Sequence, residues 1–384
     1  MVGRRDALAL VGSALAGTVA GCSALSGGTD GGSDTTAPEP DSPSFDGPAW
    51  PSPGGGPRNR GQAAGGTGPE DGGRVAWTTT LSSLSMYGPT LAGNTLFHGD
   101  VGTLEAFAAA DGSTRWSREP TQANTPTFHD GSVYAPSADD GLVAADAVSG
   151  DTTWRFGQSG AFAPTTTVAD DTLYAVTRDG RVLALDPATR EERWRTDAGS
   201  VNAIGVADGV VYARAGPGLA AFVDGEFEWR LDIPGGSDLP VVGDDNVYAR
   251  DVAAGGTVYA VDRTSGERQW TYEGGGDSFA PSVAYADGRV AFAAGSTVAV
   301  LDAATGDPVW EKSTDGAGGV AVGGDTVYAA LPDALAAFDA ADGTQRWRAS
   351  VGADTTVAGA GQPLVVGDRV YAPLGTTLAA IDPA

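Results

Sequence analysis

The sequence predicts an all-β fold, an eight-bladed β-propeller of four-stranded blades, closed by pairing the N-terminal strand with the C-terminal strands. Three observations carry the prediction. Tryptophan recurs at a near-constant spacing, each repeat reads as strands joined by tight turns, and the two ends of the array are complementary fragments of one unit.

The unit is clearest at residues 173–194. Leu173, Ala175 and Thr177 alternate with Tyr174, Val176 and Arg178, and β-branched and aromatic residues suit a pleated, half-buried surface. Asp179-Gly180 predicts a two-residue turn of type I′, which needs positive φ at both central positions. Arg181 to Asp186 form a second strand, and Pro187, Ala188 and Thr189 turn the chain into a third that carries Trp194. One unit cannot bury both its faces, so copies must stack.

The copies are found by anchoring on tryptophan. Trp77, Trp116, Trp154, Trp194, Trp229, Trp270, Trp310 and Trp347 are 39, 38, 40, 35, 41, 40 and 37 residues apart. Eight residues before its Trp the unit places Asp146, Asp186, Asp262, Asp302 and Asp339; Ala108 stands there in the first copy, and the shortened fourth copy lacks it. A small turn pair recurs as Asp111-Gly112, Ser149-Gly150, Ser265-Gly266, Thr305-Gly306 and Asp342-Gly343. Upstream, an aromatic recurs as Phe97, Tyr134, Tyr174, Tyr212, Tyr248, Tyr328 and Tyr371, with Ala291 in the sixth copy. An innermost strand, often opened by Pro (Pro126, Pro164, Pro240, Pro281), completes each blade.

The array begins at Arg74-Val75-Ala76-Trp77, a Trp strand with no Tyr and Asp strands before it. It stops after Val370-Tyr371-Ala372 and Leu378 to Asp382, early strands without a Trp. Together they make the eighth blade, and closure removes the free edges that an open array would expose. Residues 74–384 are therefore one propeller. The residue after each blade Trp is never Asp and no Gly-His pair precedes the units, so the pattern departs from WD40; the period is also too short for kelch.

Residues 1–22 read as a targeting segment. Arg4-Arg5 is a twin-arginine pair, and Ala7 to Ala20 is an apolar run too short to span a bilayer. The run ends Val19-Ala20-Gly21-Cys22, similar to a lipobox, which predicts lipidation at Cys22, the single cysteine of the chain. A plain cleaved signal and an uncleaved anchor are the alternatives. Residues 23–49, rich in Gly, Ser, Thr, Pro and Asp, cannot bury enough surface to offset ordering and read as a flexible acidic tether. Residues 50–73, holding Trp50, Arg58 and Arg60, read as an extended lead-in docked on the domain, with a recognition loop as the alternative.

The chain has 49 acidic and 23 basic residues and a net charge of −26; Lys312 is its only lysine. At ~1 M salt the Debye length falls to ~3 Å, so such self-repulsion is tolerable in very salty surroundings. Nucleic acid and anionic lipid, which need basic patches, are excluded as partners. Simple acidic solubility is the other explanation of the charge.

Units of the form Val-Tyr-Ala…Asp-Gly-x-Leu-x-Ala-Asp…Thr-Gly-x-x-x-Trp resemble the pyrroloquinoline-quinone (PQQ)-like β-propeller repeat family over residues 74–384. The resemblance implies that the eight Trp hold blade to blade. With the lipobox, the acidity and the scarcity of lysine, the chain also resembles PQQ-like lipoproteins of halophilic archaea. A bacterial lipoprotein of the same build is a scaffold in outer-membrane protein assembly. Dehydrogenases of this fold stack the quinone on a ring of adjacent, disulfide-bonded cysteines beside Ca²⁺. No cysteine lies in this propeller, and no haem-attachment motif is present.

Other chemistry is equally scarce. His98 and His129 lie in no nucleophile-activating motif. Asp139-Asp140, Asp170-Asp171 and Asp244-Asp245 fall at strand connections without EF-hand spacing and read as turn residues. No catalytic, cofactor-binding or metal-binding residue is assigned. The sequence favours a non-catalytic, monomeric lipoprotein on the outer face of the cytoplasmic membrane, binding envelope proteins or peptides. The alternative is a protein that binds PQQ with Ca²⁺, or another small ligand, perhaps as a dehydrogenase. Candidate residues at one mouth of the central channel are Tyr87, Gln122, Asn124, Phe162, Asn202, Asp238, Asp277 and Phe279.

Overall fold

Why a blade has four strands is visible in the third. In the computed structural model, Phe162–Ala169, Thr172–Thr177, Arg181–Leu185 and Glu192–Asp197 pair in sequence order, all antiparallel. Six further sheets repeat that order and an eighth takes its outer strand from the N-terminal side, which makes the eight-bladed ring. The structure describes residues 42–82, 88–99, 103–118, 125–137, 140–157, 162–234, 238–251, 256–274, 283–352 and 360–384, all within one compact unit. The residues of the export signal and lipobox (Arg4, Arg5 and Cys22) lie outside them.

The alternation read as a half-buried surface is buried on both sides. Every residue of Thr172–Thr177 is shielded, and so are those of Asn246–Asp251 and Thr326–Leu331. The middle strands lie between neighbouring blades, so both their faces are interior. Only the outer strands alternate between exposed and covered positions, as Glu192–Asp197 does. The turn at Asp179-Gly180 also differs from expectation. Gly180 alone has positive φ, at 91°, and residues 178–180 form a three-residue connection, with Gly180 N–H donating to Thr177 O at 3.0 Å. Two consecutive positive φ values occur instead where inner strands turn back, at Asp170 (47°) and Asp171 (51°).

Each outer strand carries a register shift beside its tryptophan, in all eight blades. A bulge re-aims a side chain, and here it is accompanied by reach to the next blade. The indole N–H groups of Trp77, Trp116, Trp229, Trp270 and Trp310 donate to the carbonyls of Ala109, Ala147, Arg263, Ala303 and Ala340. Except for Ala109, each acceptor directly follows a carboxylate of the turn. Asp186 shows what that carboxylate does: its Oδ1 accepts the N–H groups of Ala188 (3.0 Å) and Thr189 (2.8 Å). Those bonds and Arg193 pull its pKa down to about 2. Gly112, Gly150, Gly266, Gly306 and Gly343 close their turns at positive φ against the previous blade's Trp; a Cβ on Gly266 would lie 2.5 Å from Trp229.

Closure follows the expected split. Gly73–Thr80 pairs with Thr377–Pro383, placing Trp77 opposite Ala380. An unexpected fifth strand, Ala49–Trp50, adds to the inner edge of the first blade, Trp50 opposite Leu91.

Candidate functional site

The inner strands of all blades run the same way, so the ring has a starting end and a finishing end. The finishing end is covered by the lead-in. From Trp50 the chain passes the blades in sequence order. The N–H groups of Phe128, Val206, Val242, Tyr285 and Val322 donate to the carbonyls of Pro51, Pro57, Arg58, Arg60 and Gly61, at 2.6–2.8 Å. Thr167 reaches Ser52 by a hydroxyl contact in the third blade, and Ala64 exchanges bonds with Val365 and Gly367 in the eighth. The lead-in is thus docked on the domain, in contact with every blade.

Four side chains fasten it. Trp50 is 0% exposed, more buried than any blade tryptophan. Asn59 Nδ2 donates to Ile204 O (2.8 Å) and Pro240 O (3.0 Å), bridging two blades. At the rim Arg58 pairs with Asp208 (2.8 Å), and Arg60 pairs with Asp244 (2.6 Å) while lying over the Tyr285 ring. Each exposed pair contributes at most ~1 kcal/mol, so the buried groups and main-chain bonds hold the strip.

The starting end is where the sequence placed its candidate mouth. Phe162 and Asn202 stand at the starts of inner strands in consecutive blades, and Asp238 just precedes the next one. The ring of Phe162 is buried beside Phe156, whereas Asn202 is exposed at a register shift. Tyr87, Gln122, Asn124, Asp277 and Phe279 lie outside the described residues.

Sequence reasoning missed the group around Asp238. Its Oδ2 lies 3.5 Å from Arg250 Nε, and Arg250 Nη1 donates to Ala293 O at 3.0 Å. Arg214 Nη2 reaches Arg250 O at 3.4 Å, and Asp251 follows on the same strand. Both guanidiniums and both carboxylates are at least 94% shielded from solvent. Two charges of each sign compensate, because a buried ion without a partner is too costly. Burial raises the Asp238 carboxyl to about 6, against the pull of Arg250 and Arg214, and lowers the affinity of both arginines for their protons. The signal was in the repeat: Arg214 and Arg250 each stand two positions after the blade tyrosine, where other blades carry Pro136, Val176, Ala293 and Ala330.

Within the quartet, Asp238 is the carboxyl whose hold on a proton burial strengthens. The described residues do not fit a quinone stacked beside calcium. The single cysteine precedes residue 42, and no cluster of three or more metal-ligating side chains occurs among the described residues. His98 is buried on its strand, and His129 Nε2 lies 3.5 Å from Asp171. Asp170-Asp171 and Asp244-Asp245 occupy connections between strands.

The family model described as outer membrane protein assembly factor BamB matches residues 68–272 and 254–384. The chain belongs to this family. No curated protein matches the sequence. Among solved structures of the same fold, BamB from Moraxella catarrhalis is 17% identical, with a TM-score of 0.59, over 79% of this chain and 97% of that one. The quinohemoprotein alcohol dehydrogenase of Comamonas testosteroni is 14% identical, with a TM-score of 0.68, over 87% of this chain and 80% of that one. The computationally designed Ika8 protein is 17% identical, with a TM-score of 0.63, over 81% and 99%. At these identities the likeness shows the fold alone.

Proposed function

We propose that the chain is a non-catalytic, exported lipoprotein whose propeller binds envelope proteins or peptides as a scaffold. The observation that carries this reading is the match of the BamB family model from residue 68 to residue 384. The lead-in adds to it, since a ring fastened across one end is a rigid platform that leaves its starting end for partners. No helix among the described residues is long and apolar enough to cross a membrane. Cys22 would supply the attachment, and Arg4-Arg5 the export, to the outer face of the cytoplasmic membrane. Cys22→Ser should release the protein or leave it uncut; equal membrane retention of the variant would remove the lipid anchor. The scarcity of lysine and the net charge of −26 fit concentrated salt as the working medium.

The experiment that tests the scaffold is site-directed photocrosslinking in native membranes. A probe at Asn202 should give discrete adducts with envelope polypeptides, whereas one at the exposed outer-strand Phe227 should not. No adduct from Asn202 would overturn the reading. A second reading, a protein that binds a small ligand, is favoured by the buried charged group of Asp238, Arg250 and Arg214 beside the candidate mouth.

A further inference from the structure

We propose that residues 49–66 are a single clasp, which docks on the ring as one cooperative unit and locks the eight blades to one another. The observation is the circuit. One short strip touches every blade, at most a few residues to each, and nearly every attachment is a main-chain bond to an inner strand. Its own internal bonds are few: Gly55 to Ser52, Asn59 to Gly56 and Gly61 to Gly54. No blade holds enough of the strip to offset the entropy of ordering that piece by itself. The strip therefore stays down only when all its seats are present together.

The fit supports a dedicated element. Asn59, 3% exposed, spans the fourth and fifth blades with one side chain. Gly61 has φ +59° and a Cβ there would meet Gln362 at 2.5 Å; Gly66 packs against the backbone of Gly367. Trp50 fills the far end of the same strip. These seats are spread round the ring, so a change at one of them reports on the others only if the strip moves as a unit.

The test is amide hydrogen exchange on the full chain in concentrated salt, comparing the natural protein with Asn59→Ala. The clasp predicts that the amides of Phe128, Val322 and Gly367, far round the ring from Asn59, speed up by roughly tenfold, as much as that of Val242 beside it. Amides between middle and outer strands should keep their rates. Acceleration confined to Val206 and Val242 would show independent local contacts and overturn the proposal. Equal acceleration in the outer strands would also overturn it, because the strip would then have no transition of its own. If Asn59→Ala does not fold, the pair Arg58→Ala and Arg60→Ala, at the exposed rim, gives the same comparison.

Discussion

The indole N–H of Trp347 donates to the carbonyl of Pro69 at 2.7 Å. Trp77, Trp116, Trp229, Trp270 and Trp310 reach a turn in the next blade, whereas the acceptor for Trp347 lies just before Gly73–Thr80, the strand that completes the eighth blade. The lead-in supplies the acceptor instead. Tyr328 Oη also donates to Pro69 O, at 3.2 Å, as Tyr248 does to Ala303 O at 3.3 Å in an ordinary blade pair. The split blade is therefore completed twice, by the strand that carries Trp77 and by the carbonyls before it.

Trp50→Ala should be the most damaging of the tryptophan truncations. Trp50 lies outside the repeat, yet it is fully buried, while the blade residues Trp77 and Trp194 are half-buried. Emptying a closed site costs ~3–5 kcal/mol, and less where water already reaches the ring. Denaturant unfolding in concentrated salt checks this; a Trp50→Ala protein more stable than Trp194→Ala contradicts it.

Arg190→Gly should stabilise the protein. Arg190 has φ +66° at the turn position where the other blades use Gly150, Gly266, Gly306 and Gly343. The left-handed region costs a residue with a Cβ ~1–2 kcal/mol, partly offset by glycine's greater freedom when unfolded. A gain of about 0.5–1 kcal/mol in unfolding free energy is expected. The reverse change, Gly266→Ala, should destabilise, because it adds the strain and a clash with Trp229. An Arg190→Gly protein weaker than the parent would count against the strain.

The fold was legible because its signals repeat: eight tryptophans and their partner aromatics mark one unit many times over. The lead-in was less legible, since a strip that follows the ring's edge has no period of its own; Gly61 is there for a neighbour in another blade. At the channel mouth, Asp238 was found as an isolated acid. Its partners Arg214 and Arg250 were missed because charge on a middle strand reads as exposed until the blades on both sides are known.

Stability should carry the mark of Asp238 between pH 4 and 6. Burial raises its pKa from 3.8 to about 6, so the native state takes up the proton first. This group therefore adds stability as the pH falls from 6 towards 4. Asp186, lowered to about 2, acts oppositely: its contribution is present above 3.8 and is lost as the pH falls towards 2. In Asp238→Asn the first effect disappears, so the parent should gain on the variant as the pH falls through this window. Unfolding curves at pH 4, 5, 6 and 7 measure it; a constant difference between the two proteins contradicts the assignment.

Quinone with Ca²⁺ should leave thermal unfolding unchanged. A ligand bound only by the native state adds ~2.7 kcal/mol at a hundredfold excess over its Kd, a resolvable shift of a few degrees for a domain this size. A saturable upward shift with quinone and Ca²⁺, absent with Ca²⁺ alone, would replace the scaffold with the ligand-binding reading.

The pairing of Gly73–Thr80 with Thr377–Pro383 also sets a schedule. During synthesis the first of these strands emerges roughly 300 residues before its partner, among the longest separations a chain of this size can contain. Until then its edge is unpaired and open to the wrong neighbours. Loss of the last few residues would therefore not trim the protein to seven sound blades. It would leave an open arc, with Trp77 stranded at one end and the edge of Arg369–Leu374 bare at the other.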